Sequence, residues 1–233
     1  MNILLTGASR GIGATTLEAF ISSGHCVVGH SSRGGDGLIA GDLADPAVPA
    51  ALWDEAIHQL DGRIDVLVNN AGIFEAVSVD ATLADWDAAW TRTMQVNLRA
   101  AADLCKFAVN HFADKGGGRI INVASRAAYR GDSPNHWHYA ASKAAMIAMT
   151  KTIARGFAAQ GVLAFAVAPG FTVSEMTEEY LTGRGGAQIL ADIPLGRVTS
   201  TREVAEAIRW LATDAPAAST GTVIDVNGAS YVR

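Results

Sequence analysis

The sequence contains little that marks secreted, membrane or nucleic-acid-binding proteins. Two cysteines, Cys26 and Cys105, are too few for a disulfide framework, and we expect both to be reduced residues of the core. No uninterrupted apolar run approaches the ~20 residues of a membrane-spanning helix. The net charge of −5 comes without a basic stripe, which argues against nucleic acid as a partner. The first predicted strand leaves no room for a leader peptide, so a cytoplasmic location is the default expectation.

Short apolar runs alternate with helical patterns along the 233 residues, which suit one domain. This alternation predicts an α/β fold, a doubly wound parallel sheet of Rossmann type covered by helices on both faces, in a single domain spanning 1–233. The predicted 83–113 helix is long, so we expect two helical pieces with a bend. Strands are predicted at 3–6, 25–30, 38–40, 66–69, 119–123, 162–167 and 222–226, and helices at 11–22, 49–59, 83–113, 139–159 and 201–213.

A glycine-rich turn, Gly7-Ala8-Ser9-Arg10-Gly11-Ile12-Gly13, follows the first predicted strand and opens the first predicted helix. Glycines let a backbone approach a pyrophosphate, and the free amides at a helix start bind its charge. The order strand, turn, helix therefore predicts a dinucleotide site. The alternative is a purely structural turn between a buried strand and a helix.

Tyr139 and Lys143 lie four residues apart in an alanine-rich helical segment, so they share one helix face. A free phenol titrates near pH ~10, and a fixed cation beside it favours the phenolate. Lowering the phenol pKa by about three units takes roughly 4 kcal/mol of differential stabilisation. The pair is a candidate proton-transfer device for a carbonyl or an alcohol, although the same spacing also occurs by chance on exposed helix faces.

Further short motifs follow in order along the chain: Asp42-Leu43, Asn69-Asn70-Ala71-Gly72, Val96-Asn97-Leu98, Asn122-Val123-Ala124-Ser125, Pro169-Gly170 and Asp225-Val226-Asn227-Gly228. With the glycine-rich turn and the Tyr–Lys pair, this ordered set resembles the single-domain branch of the short-chain dehydrogenase/reductase family over nearly the whole chain. The resemblance implies an enzyme that transfers a hydride between a nicotinamide cofactor, NADP or NAD, and a carbonyl or alcohol substrate.

The resemblance also implies roles for individual residues. Tyr139 is the proton donor or acceptor, Lys143 tunes it and holds the nicotinamide ribose, Ser125 binds the substrate oxygen, and Asn97 supports Lys143 through an ordered water. The expected cofactor contacts are Gly7, Ser9, Arg10, Gly11, Ile12, Gly13, Ser31, Arg33, Asp42, Leu43, Asn69, Ala71, Gly72, Tyr139, Lys143, Pro169, Gly170, Thr172 and Ser174.

The connection after the second predicted strand, residues 31–37, is too short for a helix. Many relatives carry an acidic residue at its start, where it binds the ribose hydroxyls. Ser31 stands there in this chain and Arg33 follows, a pair that would attract a ribose phosphate. NADP is therefore favoured over NAD, unless Arg33 is merely solvated.

Two segments are expected to face the substrate. In the loop after Ser125, the side chains of Arg126 and Arg130 are positioned for an anionic substrate, and His136, Trp137 and His138 for one pocket wall. Alternatively, the arginines pair with local acids such as Asp132, and Trp137 packs at a subunit interface. No third ligand accompanies the two histidines, so no metal is expected.

The second segment follows Gly170. The resemblance implies that Thr172 and Ser174 hold the nicotinamide carboxamide. Glycines interrupt the residues beyond, so we expect a mobile substrate lid at about 171–194, with Met176 and Tyr180 touching substrate. The alternative is a surface loop without a gating role.

An NADPH-dependent reductase of ketones or 3-oxoacyl groups is the favoured function, because Ile193-Pro194-Leu195-Gly196-Arg197 and the final motif resemble 3-oxoacyl-acyl-carrier-protein reductases. An NAD-dependent sugar, polyol or cyclic-alcohol dehydrogenase is the alternative, and a nucleotide-sensing binding protein is a third. Small side chains along the predicted helices 83–113 and 139–159 suggest close helix pairing between subunits. We expect a homotetramer, with a dimer as the fallback.

Overall fold

A computed structural model describes residues 1–35, 37–172 and 190–233. Seven parallel strands form one sheet in the order β3-β2-β1-β4-β5-β6-β7. The predicted doubly wound parallel sheet is therefore confirmed. The strands are β1 Asn2–Leu5, β2 Cys26–Ser31, β3 Ile39–Ala40, β4 Val66–Asn69, β5 Gly118–Val123, β6 Val162–Pro169 and β7 Val223–Val226.

Helices cover both faces of this sheet because successive strand side chains point to opposite sides. Leu4, Leu67 and Ile120 pack beneath α2, α4 and α6. Leu5, Val68 and Ile121 pack beneath the helices of the other face. The helices are α1 Gly11–Ser22, α2 Val48–Gln59, α3 Leu83–Met94, α4 Ala100–Lys115, α5 Ala127–Arg130, α6 Trp137–Phe157 and α7 Thr201–Thr213.

The predicted division of 83–113 into two helical pieces is confirmed, because a π-helical turn, Gln95–Arg99, separates α3 from α4. Such turns insert one residue into an α-helix and often occur at functional sites. Asn97 lies within this turn and is fully buried. The short helix α5 had no counterpart among the predicted elements, because one turn is too short to show a helical period.

Helix α1 packs against α7, which comes late in the sequence. The Thr15 hydroxyl donates to the Thr201 hydroxyl at 3.0 Å. Ser200 caps α7 in a reciprocal capping box with Glu203, which fixes where this helix begins. The first helix, α1, is therefore stabilised by contact with α7, one of the last elements of the chain.

The cysteine prediction is half right. Cys105 is a buried free thiol of α4, and burial raises its pKa to about 12. Cys26 is also a free thiol, but it is exposed, so its assignment to the core is wrong. Cys26 is the first residue of β2, and burial along this strand begins only further on, with its last four residues. Within the described ranges, no helix is long and apolar enough to cross a membrane.

Candidate active site

The predicted site residues converge at one edge of the sheet. The glycine turn follows β1, Asn70 to Gly72 follow β4, Ser125 follows β5, and Gly170 follows β6. Carboxyl ends of parallel strands share an edge, and ligands of open α/β sheets bind there. The sheet order reverses between β1 and β4, so the crevice lies beside the glycine turn.

The glycine turn is closely packed at Gly7 and Gly13, where no side chain would fit. A Cβ atom at Gly13 would overlap the carbonyl oxygen of Gly7, and Gly7 itself has a positive φ of 68°. The Asn70 amide donates to the carbonyls of Thr6 and Gly7, both at 3.0 Å. The turn is thus held open and rigid at the start of α1, as a phosphate-binding backbone requires.

His30 is a second brace of this turn, and sequence reasoning missed it. Its ring is buried at the end of β2. Nδ1 accepts from the Gly7 amide at 3.4 Å, and Nε2 lies 2.8 Å from the Gly41 carbonyl. Burial lowers the His30 pKa, which keeps the ring neutral and able to accept at Nδ1. The His30 ring therefore connects the glycine turn to Gly41, the residue before Asp42.

The predicted cofactor residues differ in what they can still bind. Arg10 and Arg33 are exposed, with Arg10 at the N-cap of α1. Ser31 is buried, and its hydroxyl already donates to the Gly34 carbonyl at 3.1 Å, so this structure leaves it no proton for a phosphate. Asp42 is exposed and its neighbour Leu43 is buried in the core. Ser9 is exposed, whereas Gly11 and Ile12 are half-buried at the start of α1.

The motif after β4 divides its side chains between the core and the site. The Asn69 side chain points into the core, where it donates to Asn122 Oδ1 at 2.9 Å. The Ala71 amide donates to the Thr6 hydroxyl at 3.1 Å, which holds this loop against the glycine turn. A Cβ atom at Gly72 would lie 3.3 Å from Asn97 Oδ1 and 3.4 Å from Lys143 Nζ, so this loop lies against both side chains.

Tyr139, Lys143 and Ser125 are brought together as predicted. The Ser125 hydroxyl lies close enough to the Tyr139 phenol to lower its pKa in part. The Lys143 ammonium donates to the Val123 carbonyl at 2.8 Å, two residues before Ser125, and lies 5.9 Å from the Tyr139 ring centroid. The Ser125 oxygen accepts from the Ala127 amide at 3.1 Å, which orients it at the start of α5.

The expectation that Lys143 lowers the Tyr139 pKa is wrong for this structure. Burial raises the pKa of the Tyr139 phenol above 10, and the Ser125 hydroxyl opposes that rise only in part. Burial also lowers the pKa of Lys143 to about 8, so the ammonium is itself poorly solvated. The cation faces the Val123 carbonyl, and desolvation is the dominant effect on both groups.

Asn97 is buried next to Gly72, which belongs to the loop that lies against Lys143. Its Oδ1 accepts from the Ile73 amide at 2.8 Å, and its Nδ2 donates to the Ile73 carbonyl at 2.9 Å. Nδ2 also lies 3.3 Å from the Ser142 hydroxyl on α6. The side chain thereby joins the π-helical turn, the loop after β4 and the helix that carries Tyr139.

The two arginines of the substrate-facing loop are paired with an acid, as the alternative interpretation held, although the acid is Asp192 and not Asp132. Arg126 Nη1 lies 3.5 Å from Asp192, and its guanidinium also covers the Phe171 ring. Arg130 additionally donates to the Ser230 carbonyl at 3.2 Å. The two cations therefore share one carboxylate, which offsets one of their two positive charges.

Of the three side chains expected to form a pocket wall, His138 does not. It is fully buried and faces Trp90 of α3, with ring centroids 5.9 Å apart, because it lies on the face of α6 that packs on α3. Trp137 is 52% exposed and meets Trp86 edge to face. His136 stacks on Phe74, a residue that sequence reasoning overlooked because Phe74 is distant in sequence.

Beyond β6, the structure describes only part of the expected lid. The Gly170 backbone lies tightly against Asn227, and the Thr172 hydroxyl donates to the Gly170 carbonyl at 3.3 Å. Thr172 also forms a parallel bridge with Thr199. Ser174, Met176 and Tyr180 lie outside the described residues, as does most of 171–194.

Chemically, the arrangement offers a backbone cradle for a phosphate beside a phenol, a hydroxyl and a buried ammonium. Such a group can hold a carbonyl oxygen and transfer a proton to it. Within the described part of the chain, no group of three or more His, Cys, Asp or Glu side chains is gathered for a metal ion.

Comparison with known proteins gives consistent matches. The family model described as enoyl-(acyl carrier protein) reductase matches residues 7–229. The 3-oxoacyl-acyl-carrier-protein reductase of Haemophilus influenzae is 35% identical over 240 residues, covering 98% of this chain and 97% of that protein. The 3-oxoacyl-acyl-carrier-protein reductase of Synechocystis sp. is 40% identical over 243 residues, covering 97% and 94%.

A solved structure gives the same result at the level of the fold. It is a blue fluorescent protein from a metagenomic library, in complex with NADPH. This protein is 32% identical and matches with a TM-score of 0.88, covering 99% of this chain and 97% of its own. The matches extend over the glycine turn, the Tyr–Lys helix and the final strand alike.

Proposed function

The chain belongs to the short-chain dehydrogenase/reductase family, and we propose that this NAD(P)-dependent oxidoreductase reduces ketones or 3-oxoacyl groups with NADPH. The observation that carries the proposal is the convergence of Tyr139, Ser125 and Lys143 beside the glycine turn. Proton-transfer groups and a phosphate cradle at one sheet edge suit hydride chemistry on a carbonyl.

The described residues fit a dinucleotide. The close packing of Gly7 and Gly13 provides a bare backbone for the pyrophosphate. Bound nicotinamide supplies or accepts the hydride. Arg10 and Arg33, both exposed, favour the ribose phosphate of NADP, and the structural relative was solved with NADPH. Thr172, and Ser174 outside the described residues, are proposed to hold the carboxamide.

Tyr139 donates the proton to the developing alkoxide during reduction and accepts it during oxidation. Ser125 holds the same oxygen and stabilises its charge. A raised Tyr139 pKa keeps the phenol protonated at neutral pH, the state that reduction needs. Lys143 retains ammonium protons beyond the one given to Val123, and these are proposed to hold the ribose.

Asn97 is proposed to support the proton relay through its backbone. Its side chain already bonds both polar groups of Ile73, so it has little capacity for an ordered water. A π-helical turn disrupts the regular helix hydrogen bonds, and Asn97 stands in this turn. The Asn97 carbonyl is thus the group we assign to the water beside Lys143.

The proposal is tested with NADPH and acetoacetyl-coenzyme A, followed at the nicotinamide absorbance. Wild-type protein should consume NADPH, and Tyr139→Phe should lose at least about a hundredfold in rate, the usual contribution of a positioned acid. Cofactor affinity, measured by fluorescence titration, should change little because the ring remains. Near-wild-type turnover by Tyr139→Phe would remove Tyr139 from the mechanism.

A substrate panel separates the favoured function from its alternatives. Oxidation of sugars or polyols with NAD, without reduction of any ketone, would support the dehydrogenase. Tight nucleotide binding without turnover on any carbonyl or alcohol would support a sensor. Met176 and Tyr180 of the proposed lid, together with Arg126 and Trp137, remain the proposed substrate contacts.

The proposed assembly is a homotetramer, with a dimer as the fallback. An apolar groove of about 1130 Å³ runs along the outer face of α3, the π-helical turn, α4 and α6. Leu98, Ala102, Ala145 and Met149 are among its lining residues, away from the cofactor turn. Ala100 and Ala101, by contrast, are buried in the subunit's own core. A cytoplasmic location stays a prediction.

A further inference from the structure

Phe74 and His136 form a flat aromatic surface beside Tyr139. The two rings are nearly parallel, 2° apart in plane, with centroids separated by 3.8 Å. Phe74 also meets the Tyr139 ring edge to face, at a centroid distance of 4.7 Å. Phe74 nevertheless remains 49% exposed, so this stack does not serve to fill the core.

Both rings are held by the backbone around them. Ile73, immediately before Phe74, is fixed on both sides by Asn97. The Val77 amide donates to the Asn135 carbonyl at 2.9 Å, which joins the loop of Phe74 to the loop of His136. These contacts fix the backbone next to both rings of the stack.

The surface is also uncharged near neutral pH. His136 Nδ1 lies 2.6 Å from the Ser133 hydroxyl. Burial is the main cause that lowers the His136 pKa. The charge of Asp132 raises this pKa in part, and His138 lowers it further. Trp137, the next residue in the sequence, is exposed and packs against Trp86. The surface offers no charge to pair with a charged substrate group, whereas an aromatic ring of a substrate could pack against the rings of Phe74 and His136.

We infer that the Phe74–His136 surface selects carbonyl substrates in which a planar ring is bonded directly to the reacting carbonyl. This inference rests on the proposed function, since it places the carbonyl oxygen at Tyr139 and Ser125. Substituents of that carbonyl then lie within a few ångströms of the Tyr139 hydroxyl, and Phe74 contacts the ring of the same tyrosine. Aromatic pairs at centroid distances of about 4.5–7 Å gain more than their buried area alone provides.

The test compares three methyl ketones of equal carbon number, namely acetophenone, 1-cyclohexylethanone and 2-octanone. Their rings are planar, puckered and absent, respectively. Wild-type protein with NADPH should show kcat/KM for acetophenone about two- to tenfold above that for 1-cyclohexylethanone, the usual size of an aromatic pair. Phe74→Leu should abolish that ratio and leave 2-octanone nearly unchanged. Phe74→Tyr keeps the ring and should restore the ratio.

Thermal unfolding of each variant shows whether it is folded. An equal loss on all three ketones with Phe74→Leu would make Phe74 a structural residue and overturn the inference. So would a wild-type preference for 2-octanone, or turnover of acetoacetyl-coenzyme A with none of the ketones. If the protein reduces neither the ketones nor the thioester, that result contradicts the proposed function itself. Selective reduction of acetophenone without the thioester supports the aromatic surface and contradicts only the 3-oxoacyl part of the proposal.

Discussion

The amine of Lys143 is buried, and burying its charged form lowers the free energy of unfolding by an amount that can be measured. With a pKa of about 8 in the fold and 10.5 unfolded, its ammonium destabilises the folded state at neutral pH. Between these values the unfolded chain binds more protons, so folded stability rises with pH. Protein without this amine lacks that rise.

Lys143→Met should therefore change the pH dependence of stability as well as removing activity. Going from about pH 7 to about pH 9.5, the unfolding free energy of wild type should rise relative to Lys143→Met by about 1–2 kcal/mol. Urea unfolding without cofactor, at one protein concentration, measures both. Other titrating groups cancel in the comparison, so a constant difference would contradict the low Lys143 pKa.

Arg33 is the residue by which cofactor choice is tested. Arg33→Ala should weaken NADPH binding by about tenfold to a hundredfold and NADH binding much less, since only NADPH carries the ribose phosphate. Titration of the two reduced cofactors gives the ratio. Arg155→Ala, an exposed arginine in the last turn of α6, is the matched control. Equal losses for both cofactors would show that Arg33 does not contact the phosphate.

Sequence separation decides which of these residues could be foreseen. Tyr139 and Lys143 were predictable because four residues place two side chains on one helix face. His30 and Phe74 were not, since the partners of these side chains lie far away in the sequence and only the folded sheet brings them together. Burial of His138 was hidden for the same reason: it depends on α3, which the local pattern does not contain.

At the scale of the element, glycine conformation gives a clean prediction. Gly156 lies in α6 near its end, and a Cβ atom added there meets nothing within 4 Å. Gly156→Ala should stabilise the protein by about 0.5–1 kcal/mol through the lower entropy of the unfolded chain and better helix propensity.

Gly116 is the matched control, because a Cβ atom there also has open space. Its φ is 85° at the C-cap of α4, so Gly116→Ala should destabilise by about 1 kcal/mol. Urea unfolding of the two variants tests the pair together. Effects of the same sign would mean that backbone conformation does not govern these positions.

Most helices and strands were predictable because the pattern of apolar residues within each segment is sufficient to indicate it. The strands β1, β4 and β6 are apolar except for Asn2 and Asn69 at their ends, and α1 and α7 were bounded correctly at both ends. The division into α3 and α4 was foreseen from the length of the predicted helix alone. Its π-helical form was not, because an inserted residue leaves the apolar pattern nearly unchanged over so few turns.

At the scale of the whole molecule, the groove along α3, α4 and α6 predicts self-association. Native mass spectrometry should give four times 24.3 kDa, with two times as the fallback. Ala145→Glu places a charge in the groove and should shift the mass downward, whereas Ala50→Glu on the exposed side of α2 should not. A wild-type mass of one chain would refute both assemblies.

The contact between α1 and α7 also has a consequence for the order of events during synthesis. The glycine turn and α1 are among the first residues made, yet the Thr15–Thr201 bond joins positions 186 residues apart. Contacts of such long range form late, because closing the intervening loop carries an entropic penalty. During synthesis, a nascent chain therefore contains the glycine turn and α1 before the helix that later packs against α1 has been made.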